Sequence, residues 1–194
     1  MPKPARKPFP TRMAITAAGA ALLAAAFAAY LTPKRSGAPL IGGPFALQMA
    51  DGKTLTNKDL LGHPYLVYFG YTHCPDVCPT TLAQISDVLR KLPGKPVKAL
   101  FITVDPDRDS AKTMGDYVSS FDPRVIGLSG TPAEIEKTEK EFRVYAKKAP
   151  TKDGDYSMDH SSVVYLMDRN GAFAEAFNLD RSADESAKEL ATYL

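Results

Sequence analysis

The chain has 194 residues and a formal net charge of +2 at neutral pH, from 24 basic and 22 acidic residues. All the acidic residues follow position 50, whereas six basic residues precede position 37, so the later part of the chain is slightly acidic. A nucleic-acid-binding surface needs Lys and Arg clustered on the folded domain, and we therefore expect none here. The length predicts one globular domain with a well-buried core, preceded by a distinct N-terminal region.

An uncharged, alanine-rich stretch covers residues 13–31. As a helix it would extend about 29 Å, close to the hydrocarbon thickness of a bilayer. Four basic residues precede it, so we predict a transmembrane anchor behind a cytoplasmic basic N-terminus at 1–12. A cleaved secretory signal is the alternative, because residues 26–28 (AFA) resemble a small-x-small cleavage site. Both interpretations place the domain outside the cytoplasm. The first predicts a single-pass inner-membrane protein with its domain in the periplasm.

Residues 32–43 contain Pro and Gly without a periodic pattern and predict a linker, which leaves 44–194 as the globular domain. A β-hairpin is predicted for 45–49 and 53–55, because the intervening Asp51-Gly52 supplies the positive φ of a tight turn. A continuous apolar run at 65–69 then predicts a strand buried on both faces.

Helical and extended patterns alternate after this strand. Apolar residues from Leu82 to Leu92 recur at helical spacing, and a second buried strand is predicted at 97–104. The next elements are a helix with apolar residues between Met114 and Phe121, a short strand at 125–128, and a helix from a capping box at 131–134 to about Phe142.

The last part of the domain begins with residues 148–159, which are polar and predict a loop. A strand follows at 162–166, Asn170-Gly171 turns the chain into a partner strand that ends near Phe177, and Ser182 begins a capped helix. The element order predicts an α/β fold with a central mixed sheet and an N-terminal β-hairpin.

The only two cysteines, Cys74 and Cys78, lie where the first buried strand gives way to a helix. A structural disulfide is one interpretation, although closing so short a loop removes little entropy from the unfolded chain. Pro75 and Pro79 restrict this loop, and helix N-terminal amides would lower the pKa of the thiols, which suits a nucleophile or a metal ligand. The pattern allows the helix to begin at either proline.

Two thiolates favour Cu(I) or Zn, and one imidazole would complete a three-coordinate site. The chain has three histidines. We expect His63 to be a solvated turn residue and His73 to point away from its neighbour Cys74. His160 lies at the entry to a predicted strand, where a surface role and a ligand role are equally compatible with its spacing.

Three separated blocks occur in the order found in the Sco/SenC/PrrC family, and the chain resembles that family over roughly residues 43–193. The blocks are 68–79 (YFGYTHCPDVCP), 104–109 (VDPDRD), and 158–162 (MDHSS) with 165–168 (YLMD). The resemblance implies a thioredoxin-like fold. It also implies that Cys74, Cys78 and His160 bind copper, which is delivered to the binuclear copper site of cytochrome c oxidase subunit II.

These residues and the family resemblance are compatible with three hypotheses for the function. In the first, a metallochaperone passes copper to subunit II, and it need not turn over a substrate. In the second, an enzyme uses Cys74 and Cys78 as a redox-active disulfide pair to reduce the cysteines of the target, with periplasmic thiol reductants or other copper chaperones as further partners. The third is a redox or copper sensor. Asp76, between the cysteines, is expected either to orient the loop or dock a partner, or to cap the helix.

Overall fold

The computed structural model describes residues 41–152 and 154–194, which belong to a compact unit spanning Ala38–Leu194. The predicted basic N-terminus, the predicted anchor at 13–31 and most of the predicted linker lie outside the described residues. Within the described part, no helix combines the length and apolarity needed to cross a bilayer.

The predicted N-terminal hairpin is present as two short antiparallel strands, in which Leu47 pairs with Leu55. Both leucines are buried, and Gly52 has the positive φ of 81° that the turn requires. The strands are β1 (Ala46–Gln48) and β2 (Thr54–Thr56), followed by a 3₁₀ helix (Asn57–Leu60).

A five-stranded mixed sheet forms the centre of the domain, with strand order β5-β4-β3-β8-β9. Its first three strands are parallel, whereas β8 and β9 are antiparallel to their neighbours. The strands are β3 (Tyr65–Gly70), β4 (Lys98–Thr103), β5 (Val125–Leu128), β8 (Val164–Met167) and β9 (Phe173–Ala176). Every residue of β3 is buried, as its continuous apolar run predicts.

Among the described residues, four α-helices accompany the sheet: α1 (Val77–Arg90), α2 (Ala111–Val118), α3 (Pro132–Phe142) and α4 (Ala183–Ala191). The predicted capping boxes are confirmed at Thr131 for α3 and at Ser182 for α4. Helices α1 and α4 pack against each other, and α2 lies against β5. The predicted α/β architecture with a central mixed sheet and an N-terminal hairpin is therefore confirmed.

The predicted loop at 148–159 is wrong, because these residues contribute to an antiparallel hairpin of β6 (Ala146–Pro150) and β7 (Tyr156–His160). The hairpin forms a separate two-stranded sheet. Neither of its strands contains a fully buried residue, so the alternation that identifies a half-buried strand is weak here. The backbone N–H of Thr151 donates to the carbonyl of Asp155 at 2.9 Å and closes the turn.

Candidate metal centre

The two cysteines follow the carboxyl end of β3, where the chain turns into α1. Cys74 lies in the connecting loop and Cys78 in the first turn of the helix, which begins at Val77 between the two prolines. Pro79 therefore lies in the first helical turn, where a missing N–H removes no intrahelical hydrogen bond. Asp76 occupies the N-cap position, but its exposed side chain makes no capping hydrogen bond, so the capping interpretation is wrong.

The fold brings Cys74, Cys78 and His160 together. One ligand atom from each lies within 4.8 Å of the others, and Sγ of Cys78 is 3.8 Å from Nε2 of His160. His160 is the last residue of β7 and lies 82 positions beyond Cys78 in the chain. Two sulfurs four residues apart and one distant imidazole thus surround a space of the size that one metal ion needs.

The ring of His160 is oriented by its surroundings. Its Nδ1 lies 2.9 Å from the carbonyl oxygen of Ser161, and since a carbonyl can only accept, Nδ1 carries the proton. In the neutral ring Nε2 then has a free lone pair, and it is this atom that faces Cys78. The ring of Tyr71 meets the imidazole edge-on, with centroids 5.7 Å apart at 88°. The hydrogen bond to Ser161 is typical of metal-binding histidines, in which the ring nitrogen that does not bind the metal donates to a backbone carbonyl.

Cys78 is fully buried, and burial raises the pKa of its thiol to about 12. The hydroxyl of Tyr68, 3.6 Å from Sγ, lowers the pKa but does not offset the loss of solvent. The expectation of a lowered thiol pKa is therefore wrong for Cys78, because desolvation outweighs the hydrogen bonds from Tyr71 and Tyr68 that lower the pKa. A bound metal ion would supply the positive charge that stabilises the thiolate in this environment.

Cys74 is the more accessible of the two sulfurs. It is partly exposed, and its Sγ accepts the backbone N–H of Cys78 at 3.3 Å. Both cysteines are thiols here rather than a disulfide. A shallow cavity opens over Cys74 and His160, and Tyr71, Val77 and Met158 contribute to its walls. A partner could therefore reach Cys74 without displacing the core.

The other two histidines lie outside this group. His63 is exposed and precedes the amino end of β3, whereas the cysteines follow the carboxyl end of that strand. His73 is also exposed, and its Nδ1 lies 3.1 Å from the hydroxyl of Thr72. Proximity to Cys74 in the sequence therefore does not bring His73 to the site.

The sequence patterns do not identify Asp109 as the residue that supports the loop leading from β3 to Cys74. The buried carboxylate of Asp109 accepts the backbone N–H of Thr72 at 3.0 Å and the hydroxyl of Thr103 at 2.8 Å. Asp109 ends the block at 104–109 that carries part of the family resemblance. Within that block, a buried aspartate cannot be distinguished from a surface turn residue by sequence pattern alone.

Comparison with protein families gives a match over residues 33–194 to the SCO1/SenC model. The chain belongs to the SCO1/SenC family. A zebrafish (Danio rerio) relative, the mitochondrial SCO2 homolog, is 41% identical over 157 residues, which cover 78% of this chain and 56% of that protein. The human mitochondrial SCO1 homolog is 39% identical over 163 residues, covering 81% of this chain and 54% of its own length. The chain thus spans about half the length of these curated relatives.

Solved structures of SCO1/SenC proteins have the same fold as the domain. Copper-bound ScoI of Bradyrhizobium japonicum is 58% identical with a TM-score of 0.76, covering 79% of this chain and 99% of that one. Copper-bound ScoI of Arabidopsis thaliana is 39% identical with a TM-score of 0.73, covering 79% and 97%. The predicted thioredoxin-like Sco fold is confirmed. Two thiolates and an imidazole also form a donor set suited to a soft ion such as Cu(I).

Proposed function

We propose that this SCO1/SenC protein is a copper metallochaperone in which Cys74, Cys78 and His160 bind the ion. The observation that carries the proposal is the convergence of their three ligand atoms within 4.8 Å, from parts of the chain far apart in sequence. The chemistry of two soft sulfurs and one imidazole favours copper. Support also comes from the copper-bound relative that is 58% identical to this chain.

Copper delivery would proceed by ligand exchange at the accessible side of the site. A three-coordinate ion leaves room for an incoming thiolate, and partly exposed Cys74 is the sulfur such a thiolate can replace first. Cys78 is buried, so it would be the sulfur that releases the ion last. We propose the binuclear copper site of cytochrome c oxidase subunit II as the recipient, because its cysteines supply competing thiolates.

The first test measures copper stoichiometry and the optical spectrum of the reduced, purified protein. We expect one tightly held copper per chain and, for Cu(II), a sulfur-to-copper charge-transfer band. Cys74→Ala and Cys78→Ala should abolish the band, and His160→Ala should shift it.

His73→Ala is the matched control for this test, because it removes an imidazole next to Cys74 that lies outside the group. The control should retain both the stoichiometry and the spectrum. A wild-type protein that retains no copper after reduction would contradict the proposal.

Thiol-disulfide exchange is the second candidate function, favoured by the accessibility of Cys74 and by the N–H that its sulfur accepts. The thiolate of Cys74 would attack a target disulfide, forming a mixed disulfide and releasing one target thiolate. Cys78 would then attack Sγ of Cys74, which releases the second target thiolate and leaves a Cys74–Cys78 disulfide. An external thiol reductant would restore the pair.

His160 discriminates between the two functions. Exchange needs only the two sulfurs, whereas the proposed copper site also uses the imidazole. Cells carrying His160→Ala should therefore lose cytochrome c oxidase activity if the protein is a chaperone. Full oxidase activity in that variant would favour exchange.

We also propose that the domain is held at the periplasmic face of the inner membrane by residues 13–31. The support is the uncharged stretch itself and the basic residues before it. Membrane fractionation of the full chain, with an antibody against the C-terminal domain, checks this. A full-length band in the membrane pellet that resists alkaline extraction is expected, whereas a shortened soluble band would indicate a cleaved signal.

A further inference from the structure

The hairpin that carries His160 stands apart from the central sheet. Its strands β6 and β7 pair only with each other among the described residues. A lone two-stranded hairpin is marginally stable in water, so its orientation must be set by side-chain contacts. Whatever fixes β7 also fixes the imidazole at its end.

A partly buried cluster that links the hairpin to the loop after β4, formed by Asp105, Arg108 and Tyr156, makes these contacts. We call these three residues the clasp. The Arg108 Nε donates to the carboxylate of Asp105, and the Tyr156 hydroxyl donates to the same carboxylate at 2.9 Å. The Arg108 Nη1 donates to the backbone carbonyl of Tyr156 at 3.0 Å, and its Cζ lies 3.7 Å from the centre of the Tyr156 ring.

The clasp is partly buried, with Asp105 at its buried end, which makes it stronger than an ordinary surface contact. The side chain of Asp105 has no solvent exposure and that of Arg108 has 17%. A second link between hairpin and domain, from Lys148 to Asp107, is half exposed on both sides and contributes little. The planar guanidinium of Arg108 combines ion pairing, a hydrogen bond and ring stacking, which Lys could not reproduce.

The clasp is linked to His160 along two routes. Tyr156 and His160 are four residues apart on β7, so their side chains lie on the same face of the strand. The guanidinium carbon of Arg108 also lies 5.9 Å from the Tyr71 ring, which in turn meets the His160 ring edge-on.

The segment after β4 thus holds both halves of the site. Asp105 and Arg108 hold the hairpin that carries the imidazole. Asp109, the residue after Arg108, holds Thr72 at the start of the cysteine loop. We propose that the clasp consists of positioning residues that set the distance between Nε2 of His160 and the two sulfurs. This inference rests on the proposed copper function of the site.

The test compares Arg108→Lys and Tyr156→Phe with a matched control, Arg124→Lys. Arg124 makes the same kind of contacts, to the carboxylate of Asp122 and to the carbonyl of Leu92 at 2.8 Å. It precedes β5 and so lies at the opposite end of the parallel strands from the cysteines. Tyr156→Phe keeps the ring and removes only the hydroxyl, so it tests the clasp even if Arg108→Lys folds poorly.

Two measurements are made on the full chain. Without copper, backbone amides of residues 156–161 should exchange hydrogen faster in both clasp variants than in the wild type or in Arg124→Lys. With copper, affinity should fall about tenfold to a hundredfold, the usual effect of losing a partner that orients a metal ligand. The charge-transfer band should shift as it does in His160→Ala, whereas Arg124→Lys should keep the wild-type band.

Combining each clasp variant with His160→Ala isolates the positioning role. If the clasp acts through the imidazole, it has no further effect on copper affinity once the imidazole is absent. An equal loss of affinity in both backgrounds, or unchanged exchange and spectrum in the clasp variants, would overturn the proposal. If the wild type binds no copper, the proposed function fails, and the exchange of residues 156–161 still decides whether the clasp holds the hairpin.

Discussion

At the residue scale, the buried sulfur depends on a glycine. A Cβ added at Gly70 would lie 2.7 Å from Sγ of Cys78 and 2.7 Å from a ring carbon of Phe101, closer than real side chains approach. The strand cannot move aside easily, because the carbonyl of Gly70 accepts the N–H of Val104 at 2.8 Å. The sulfur or the aromatic ring must therefore shift.

We expect Gly70→Ala to lower the unfolding free energy by about 1–3 kcal/mol, the usual cost of overpacking a core. Because the added methyl group presses on a proposed copper ligand, the charge-transfer spectrum should change as well. Denaturant unfolding and the optical spectrum of the copper-loaded protein measure the two effects.

Gly127→Ala provides the control for this prediction. Its added Cβ would lie 2.6 Å from the backbone oxygen of Met114, so it also strains the core, but it touches no residue of the site. It should destabilise the protein and leave the copper spectrum as in the wild type. A spectrum that Gly70→Ala leaves unchanged would show that Phe101 alone absorbs the strain.

Single residues were the least predictable from sequence. The position of Cys74 and Cys78 at a strand-to-helix junction indicates a nucleophile pair or metal ligands, because so short a loop makes a poor structural disulfide. The spacing of His160 carried no comparable signal, and family resemblance selected it. The direction of the pKa shift of Cys78 could not be foreseen, because it depends on how deeply the first turn of α1 is covered.

At the scale of elements, α3 begins as its sequence predicts and carries an unfavourable charge near its end. Thr131 and Glu134 form the capping box, with Pro132 at the first helical position. Further along, burial raises the pKa of Glu139 to about 7, and the neighbouring charge of Glu136 acts in the same direction. A carboxylate near a helix C-terminus also meets the negative end of the helix dipole.

We expect Glu139→Gln to stabilise the protein at pH 8. In the unfolded chain Glu139 ionises near its usual pKa of about 4.3, whereas in the folded state it keeps its proton up to about 7. The contribution of this group to stability is thus lost as the pH rises between these values. Each pKa unit corresponds to about 1.4 kcal/mol, so a gain of about 1–3 kcal/mol at pH 8 is expected for this partly exposed group.

Urea unfolding at pH 5 and pH 8 measures this change. The gain should be small at pH 5 and fully present at pH 8. Glu136→Gln is the control, because Glu136 pairs with Lys140 and its pKa is lowered. It relieves the repulsion of Glu139 but loses the pair with Lys140, so at pH 8 it should give a much smaller gain than Glu139→Gln. An equal gain from Glu139→Gln at both pH values would contradict the burial of its charge.

Elements with strong local signals were predictable, and the hairpin β6–β7 was not. Apolar runs identified β3 and β4, since both are buried on two faces and need no alternation. In the hairpin, stability comes from the clasp and from contacts with Tyr71, which are distant in sequence. Local sequence patterns do not reveal such contacts, so a polar segment that is held by them is predicted as a loop.

At the scale of the whole molecule, the site exists only in the folded chain. Cys74 and Cys78 are close in sequence and could share an ion even when the chain is unfolded. His160 comes from a separate hairpin 82 residues beyond Cys78 and joins them only in the folded chain. Copper should therefore bind the folded state more tightly than the unfolded state, largely through the imidazole.

Binding of this kind stabilises the fold in proportion to the difference in affinity between the two states. A ligand at a hundred times its Kd for the folded state adds about 2.7 kcal/mol if the unfolded chain does not bind, and less if it does. We expect buffered Cu(I) to raise the unfolding free energy of the reduced wild-type protein, measured by denaturant titration with and without the ion. His160→Ala lowers only the affinity of the folded state, so it should remove most of this gain. Cys78→Ala weakens binding in both states. If copper stabilises His160→Ala as much as the wild type, the imidazole does not bind the ion, and the two cysteines alone form the site.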